Sequence, residues 1–191
     1  MKQHKRLYDL MMILVGGLTI AIDQWSKAAI RKHFVTCNAG EYVPIIGQYF
    51  GLSYACNTGA AFSLFEHGHE VLLFLFIAVA LATIIWLYIR SANQASLLLK
   101  LSFGLILGGA VGNLIDRFRL GYVTDFLLFS IQSVFTWPVF NLADSAICLG
   151  ILLLILHFWR RPVLAQHPST HSEVDLVVTE QTSVEQSPSQ L

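Results

Sequence analysis

The sequence predicts an all-α membrane protein with four transmembrane helices, and two observations carry that expectation. Of its 191 residues 55% are apolar and only 13% charged, where soluble domains carry about a quarter charged. Four stretches also reach the roughly 20 mostly apolar residues that a helix rising 1.5 Å per residue needs to cross a bilayer core about 30 Å thick. The 12 Lys and Arg are matched by 12 Asp and Glu. With no net field to attract phosphates, nucleic acid is excluded as a partner.

The first span runs over about 10–30, with Asp23 and Lys27 toward its far end. The basic Met1 to Arg6 segment before it imitates a secretory leader, but no small-x-small cleavage site closes the apolar run. Residues 33–66 are punctuated by Gly40, Pro44, Gly47 and Gly51, with β-prone runs such as Tyr49 to Tyr54 between them, and read as short strands at the membrane face. Glu66-His67-Gly68-His69-Glu70 resembles a metal-binding run, but beside an apolar span it reads as a hydrated loop, and no metal or other cofactor is expected. The second span, 71–89, has no charge, and the third, 97–115, holds only Lys100 near its start. Residues 121–140 are apolar but broken by Pro138, with Asp125 as their single charge; a strand or short helix at the interface is expected, a fifth span being the alternative. The fourth span, 141–159, holds only Asp144. Residues 162–191 carry three prolines, four acids and no Lys or Arg. They read as a disordered cytoplasmic tail on a membrane-embedded domain of residues 1–161.

Four spans put both ends of the chain on one side. Lys2, Lys5, Arg6, Arg90, Lys100, Arg160 and Arg161 share it, against Lys27, Arg31, Lys32, Arg117 and Arg119 opposite, a bias of seven to five that favours cytoplasmic termini. Cys37, Cys56 and Cys148 show no C-x-x-C spacing and are too few for a disulfide-built scaffold. A Cys37 to Cys56 bridge is the less favoured reading; Cys56 is expected only to pack as a small residue.

An ionised side chain at mid-membrane costs about 2.5–3.5 kcal/mol even on lenient scales, so intramembrane acids need a reason. With the termini inside, Asp23, Lys27, Asp116, Arg117 and Asp144 fall at the outer ends of their helices, and Asp125 lies in the segment joining the last two. Asn57, Asn113 and Asn141 converge at the same depth. Gly104, Gly108 and Gly112 repeat every four residues, a stripe that lets another helix approach closely. Asp125 and Asp144 lack an evident base each and suit a pair sharing one proton, in which one member is general base toward water and the other general acid. Ser26, Ser53, Ser63 and Ser145 have no histidine at their depth, and no phosphate loop occurs. His157, at the cytoplasmic end of its span, is expected to pack.

Five motifs stand in order between these spans. They are Asp23-Gln24 with Lys27, Asn57-Thr58-Gly59-Ala60-Ala61-Phe62-Ser63, Gly108-Gly109-Ala110-Val111-Gly112-Asn113-Leu114-Ile115-Asp116-Arg117, Gly121-Tyr122-Val123-Thr124-Asp125-Phe126 and Phe140-Asn141-Leu142-Ala143-Asp144. Together they resemble the bacterial lipoprotein signal peptidases (signal peptidase II) over roughly residues 10–160. The resemblance implies four transmembrane helices with a small periplasmic β-sheet cradle, in the bacterial inner membrane. It implies Asp125 and Asp144 as the catalytic pair, Asn57, Asn113, Arg117 and Asn141 as substrate-binding residues, and Asp23, Lys27 and Asp116 as their support. The substrates it implies are prolipoproteins bearing a diacylglyceryl group on the lipobox cysteine, cut just before that cysteine by a monomer in contact with membrane lipid. The long polar tail departs from the typical pattern. Two other readings compete: a small proton-coupled transporter, which paired intramembrane charges also mark, and a non-catalytic assembly factor held together by polar contacts.

Overall fold

A computed structural model of the chain describes residues 2–59, 70–91, 96–131 and 135–160. The Ala60 to Ser63 part of the second motif, the Glu66 to His69 run and the tail after Arg160 lie outside the described residues. In chain order the elements are α1 (Lys2–His33), β1 (Val43–Ile46), β2 (Phe50–Asn57), α2 (Glu70–Ser91), α3 (Leu97–Leu120), β3 (Val123–Ile131), β4 (Phe135–Thr136) and α4 (Leu142–Trp159). Among the described residues three helical segments are long and apolar enough to cross a membrane: His4–His33, Leu97–Leu120 and Leu142–Trp159. The helix α2 covers the stretch expected as the second span.

The inner helix is α3, packed between α1 and α4, and its glycines explain how closely. A Cβ on Gly108 would stand 2.7 Å from the Gly16 carbonyl oxygen of α1, and one on Gly109 would stand 2.5 Å from the Ala143 carbonyl oxygen of α4. Without side chains there, backbones meet directly on both flanks of one helix. The outer faces are the reverse of a soluble protein's: Ile13, Leu14, Leu18 and Trp25 on α1, and Ile151, Leu152 and Ile155 on α4, are exposed. In a bilayer these surfaces meet acyl chains.

The third helix outruns its expected end at Ile115. It continues through Asp116 and Arg117 because Asp116 turns inward, buried, and it stops at Gly121. That residue adopts φ 80° and its N–H donates to the Arg117 carbonyl at 3.1 Å, the left-handed cap that glycine alone adopts without strain. Residues 123–131 and 135–136 then form strands, and among the described residues of 121–140 there is no helix to serve as a fifth span. The sheet has the order β1-β2-β3-β4, all neighbours antiparallel, with Ala55 opposite Asp125 and Asn57 opposite Val123. Between Leu52 and Ala55 the second strand carries one extra residue relative to the third, a bulge just before the residues paired with Asp125 and Val123. Ile30, Phe34, Tyr54 and Phe126 pack beneath the sheet where it meets the end of α1.

Polar ties also join the opposite ends of the helices. Lys100, buried, pairs with Asp9 at 2.6 Å and lies 4.5 Å from the Tyr88 ring centroid. Buried His157 has Nδ1 3.1 Å from the Ser96 hydroxyl that caps α3. Charge within the helices is therefore not confined to one end, as the sequence suggested; Asp9 lies one residue before Leu10, where the first span was read to begin.

Gly109→Val should cost about 1–3 kcal/mol by overpacking against Ala143 and Ile147. In detergent its Tm is expected several degrees below wild type, while Gly17→Ala, with nothing within 4 Å of the new methyl, leaves Tm unchanged or raised.

Candidate active site

The site begins with charges spaced four apart on α1. Asp23, Lys27 and Arg31 share one face, turned toward α3 and β3. The Lys27 ammonium, fully buried, lies 2.8 Å from Asp23 Oδ2, 2.9 Å from Asn113 Oδ1 and 3.5 Å from Asp116 Oδ2. An ammonium has three donors, and three oxygens face it. Gln24 Nε2 braces both carboxylates, 3.3 Å from Asp23 Oδ2 and 3.1 Å from Asp116 Oδ1. Arg31 reaches Asp116 at 3.8 Å and donates to the Thr124 hydroxyl at 2.8 Å.

Each of these two acids grips the backbone beside one of the expected catalytic pair. Asp23 Oδ1 accepts the Ala143 N–H at 3.0 Å, one of the otherwise unpartnered amides at the start of α4, next to Asp144. Asp116 Oδ2 accepts the Thr124 N–H at 2.9 Å, next to Asp125 on β3. One lysine thus couples the helix that carries Asp144 to the strand that carries Asp125.

Asparagine amides complete the connection. Asn141 caps α4: its Oδ1 accepts the Asp144 N–H at 2.9 Å, and Asp144 Oδ2 accepts the Asn141 N–H at 3.2 Å, a reciprocal capping box. The Asn141 Nδ2 donates to Asp125 Oδ1 at 2.6 Å and to Asn113 Oδ1 at 3.0 Å. Asn113 Nδ2 donates to Asp144 Oδ1 at 2.8 Å, and Asn57 Nδ2 to Asp125 Oδ2 at 2.9 Å. The orientations are forced. Lys27 only donates, so Asn113 must turn its oxygen to Lys27 and its NH₂ to Asp144; the Asp144 N–H likewise fixes Asn141. Burial pushes Asp125 up to about 6, against the Asn57 bond, with the Asp144 charge raising it further and Asn141 and Lys27 lowering it.

Arg117 is held only loosely, one guanidinium nitrogen 3.4 Å from the Asn113 carbonyl, and its charge acts first on Asp144, then on Asp125 and Asp116. All nine residues singled out from the sequence therefore meet at one end of the helices: Asp125, Asp144, Asn57, Asn113, Arg117, Asn141, Asp23, Lys27 and Asp116. Gln24, Arg31 and Thr124 were missed as participants. The i, i+4, i+8 series from Asp23 would have found Arg31, while Thr124 contributes through its position between Asp116 and Asp125. The cysteines require a correction: Cys37 and Cys56 form a disulfide, Cα atoms 5.7 Å apart, and Cys148 is free. Spacing in sequence could not reveal that the end of β2 folds back onto the loop after α1.

This arrangement has relatives. A family model described as signal peptidase (SPase) II matches residues 15–160. The chain is 46% identical over 142 residues to a lipoprotein signal peptidase of Moorella thermoacetica, covering 74% of this chain and 88% of that protein. It is 44% identical over 152 residues to one of Desulforapulum autotrophicum, covering 76% and 90%. Among solved structures, a bacterial membrane enzyme determined by the in meso method at 1.9 Å resolution superposes with a TM-score of 0.68 at 28% identity, covering 80% of this chain and 94% of that one. The transporter and assembly-factor readings find no support in these matches. The chain belongs to the signal peptidase II family of membrane aspartic peptidases.

Proposed function

We propose that the chain removes signal peptides from diacylglyceryl-modified prolipoproteins, cutting before the lipidated cysteine, with Asp125 and Asp144 as the catalytic pair. The observation that carries this reading is the shared amide bridge: Asn141 touches both aspartates and Asn113, so two carboxyl groups on different elements are fixed to one another. Asp125, pushed up to about 6, holds the shared proton. Ionised Asp144 takes a proton from water as its oxygen attacks the scissile carbonyl carbon, while Asp125 gives its proton to the carbonyl oxygen. Collapse of the gem-diol breaks the C–N bond; the amine nitrogen takes up a proton and the signal peptide leaves with a new carboxyl group. Asn57, Asn113, Asn141 and Arg117 orient the peptide, and Asp23, Lys27 and Asp116 keep the pair in register.

The proposed membrane arrangement has four spans, about 10–30, 71–89, 97–115 and 141–159, with both termini cytoplasmic and the site at the outer face of the inner membrane. Two features support this orientation. The seven-to-five bias of basic residues is one. The other is the Cys37–Cys56 bridge, which suits an oxidising compartment. A substrate held by two acyl chains diffuses in the bilayer plane and presents its scissile bond at that interface, where water is at hand. A monomer with residues 1–161 as the peptidase domain and 162–191 as a cytoplasmic tail suffices.

Asp125→Asn and Asp144→Asn should each abolish cleavage of a lipidated prolipoprotein while the protein stays helical and inserted, because an amide cannot move the proton; Tm falls modestly, since each new NH₂ meets a donor. Normal turnover by either variant contradicts the assignment. For wild type, the alkaline limb of kcat/KM, which reports the free enzyme, should fall near pH 6 as Asp125 loses its proton. Bound lipopeptide displaces water and raises Asp125 further, so the limb in kcat should lie at higher pH than the limb in kcat/KM. Coincident limbs would show that substrate leaves the solvation of Asp125 unchanged.

A further inference from the structure

The Cys37–Cys56 bridge lies one residue from Asn57. Around it the loop after α1 is pinned to the end of β2 at successive points. Asn38 adopts φ 59°, its N–H donates to the Tyr54 carbonyl at 2.8 Å, and its Oδ1 accepts the Cys56 N–H at 3.2 Å. Cys37 and Cys56 also pack against the buried cluster of Ile30, Phe34, Tyr54 and Phe126, so the clamp is continuous with the apolar core that joins α1 to the sheet.

Asn57 needs such an anchor. It is the last residue of β2, its ladder partner Val123 is the last in the register, and its Oδ1 is occupied by the Gly59 N–H at 2.9 Å. Its Nδ2 alone reaches Asp125 Oδ2. A strand end that frays by about 1 Å would break a 2.9 Å hydrogen bond without disturbing the helices.

We propose that the Cys37–Cys56 disulfide is a positioning device that holds the end of β2 so that Asn57 stays hydrogen-bonded to Asp125, making turnover depend on the bridge. This rests on Asp125 being catalytic. The bridge forms when the two thiols pass two electrons and two protons to a disulfide oxidant; with oxidised glutathione the products are the protein disulfide and two reduced glutathiones. Dithiothreitol reverses the step and is itself oxidised to its cyclic disulfide.

The test uses full-length protein in detergent in a Cys148→Ser background, with a diacylglyceryl-modified prolipoprotein as substrate. Reduction should lower kcat ~10-fold with KM changed less than about twofold, since misplacement at the reacting groups costs turnover and not capture. Cys37→Ala/Cys56→Ala should match reduced wild type and ignore dithiothreitol. In Asn57→Ala, reduction should change kcat less than about twofold, because the two perturbations act through one contact. Undiminished kcat on reduction overturns the proposal. So does an equal loss in wild type and Asn57→Ala, which would mark the bridge as a general staple. If Asn57→Ala turns over too slowly, the Asp125 carboxyl is titrated directly by infrared or carbon NMR. Its pKa should rise on reduction as it does in Asn57→Ala, with Lys27 of α1, Arg117 of α3 and Asp144 of α4 still facing it; an unchanged value contradicts the proposal. Oxidised wild type that cuts no lipidated precursor would defeat the functional reading alone, and the titration would still decide the role of the bridge.

Discussion

The buried ammonium of Lys27 organises the site of this protein. Lys27 has no exposed surface, and a cation in that position is tolerated only because Asp23, Asp116 and Asn113 surround it. The cost of taking these charges out of water is repaid in geometry. Asp23 keeps Oδ1 for a backbone amide at the start of α4, while Asp116 Oδ2 faces Lys27 and also accepts an amide at the start of β3. Asp144 and Asp125 follow by one residue each. A helix and a strand that share no ladder are thereby set to one another through one charge.

The same ammonium decides which way the amides point. Because it cannot accept a hydrogen bond, Asn113 presents NH₂ to Asp144. Asn141, committed by its oxygen to the Asp144 N–H, presents NH₂ to Asp125. The carboxylates therefore receive donors of fixed direction before any substrate arrives, which is the preorganisation that makes polar groups effective in a site of low dielectric. Glycines on α3 are the other requirement. Gly112 places Asp23 against α3, where a Cβ would stand 2.6 Å from Asp23 Oδ2, so the closeness of backbones and the closeness of charges are one design.

Much of this was legible in the residues. Hydropathy located the long helices among the described residues, and four acids with three asparagines expected at one depth pointed to the candidate site, because bilayer thickness and charge cost are strong constraints on sequence. The strands over 121–140 were half-legible: Pro138 and Asp125 argued against a span, but pairing with β2 is a long-range property. Helix ends were hidden where a charge turns inward, as Asp116 does. The Asp9–Lys100 pair and the Cys37–Cys56 bridge join residues far apart in sequence, and neither carries a local signal. Arg31 was legible in principle, four residues beyond Lys27, and was passed over because basic residues at a helix end usually meet solvent or headgroups.

The most direct measurement is the cleavage rate of Lys27→Met, a side chain of similar length without the charge, in protein verified by circular dichroism to be helical. If Lys27 couples Asp125 to Asp144, kcat should fall ~100-fold or more, the scale of loss expected when reacting groups are misplaced by about 1 Å. A helical Lys27→Met that cuts lipidated prolipoprotein at the wild-type rate would contradict the role given to this residue.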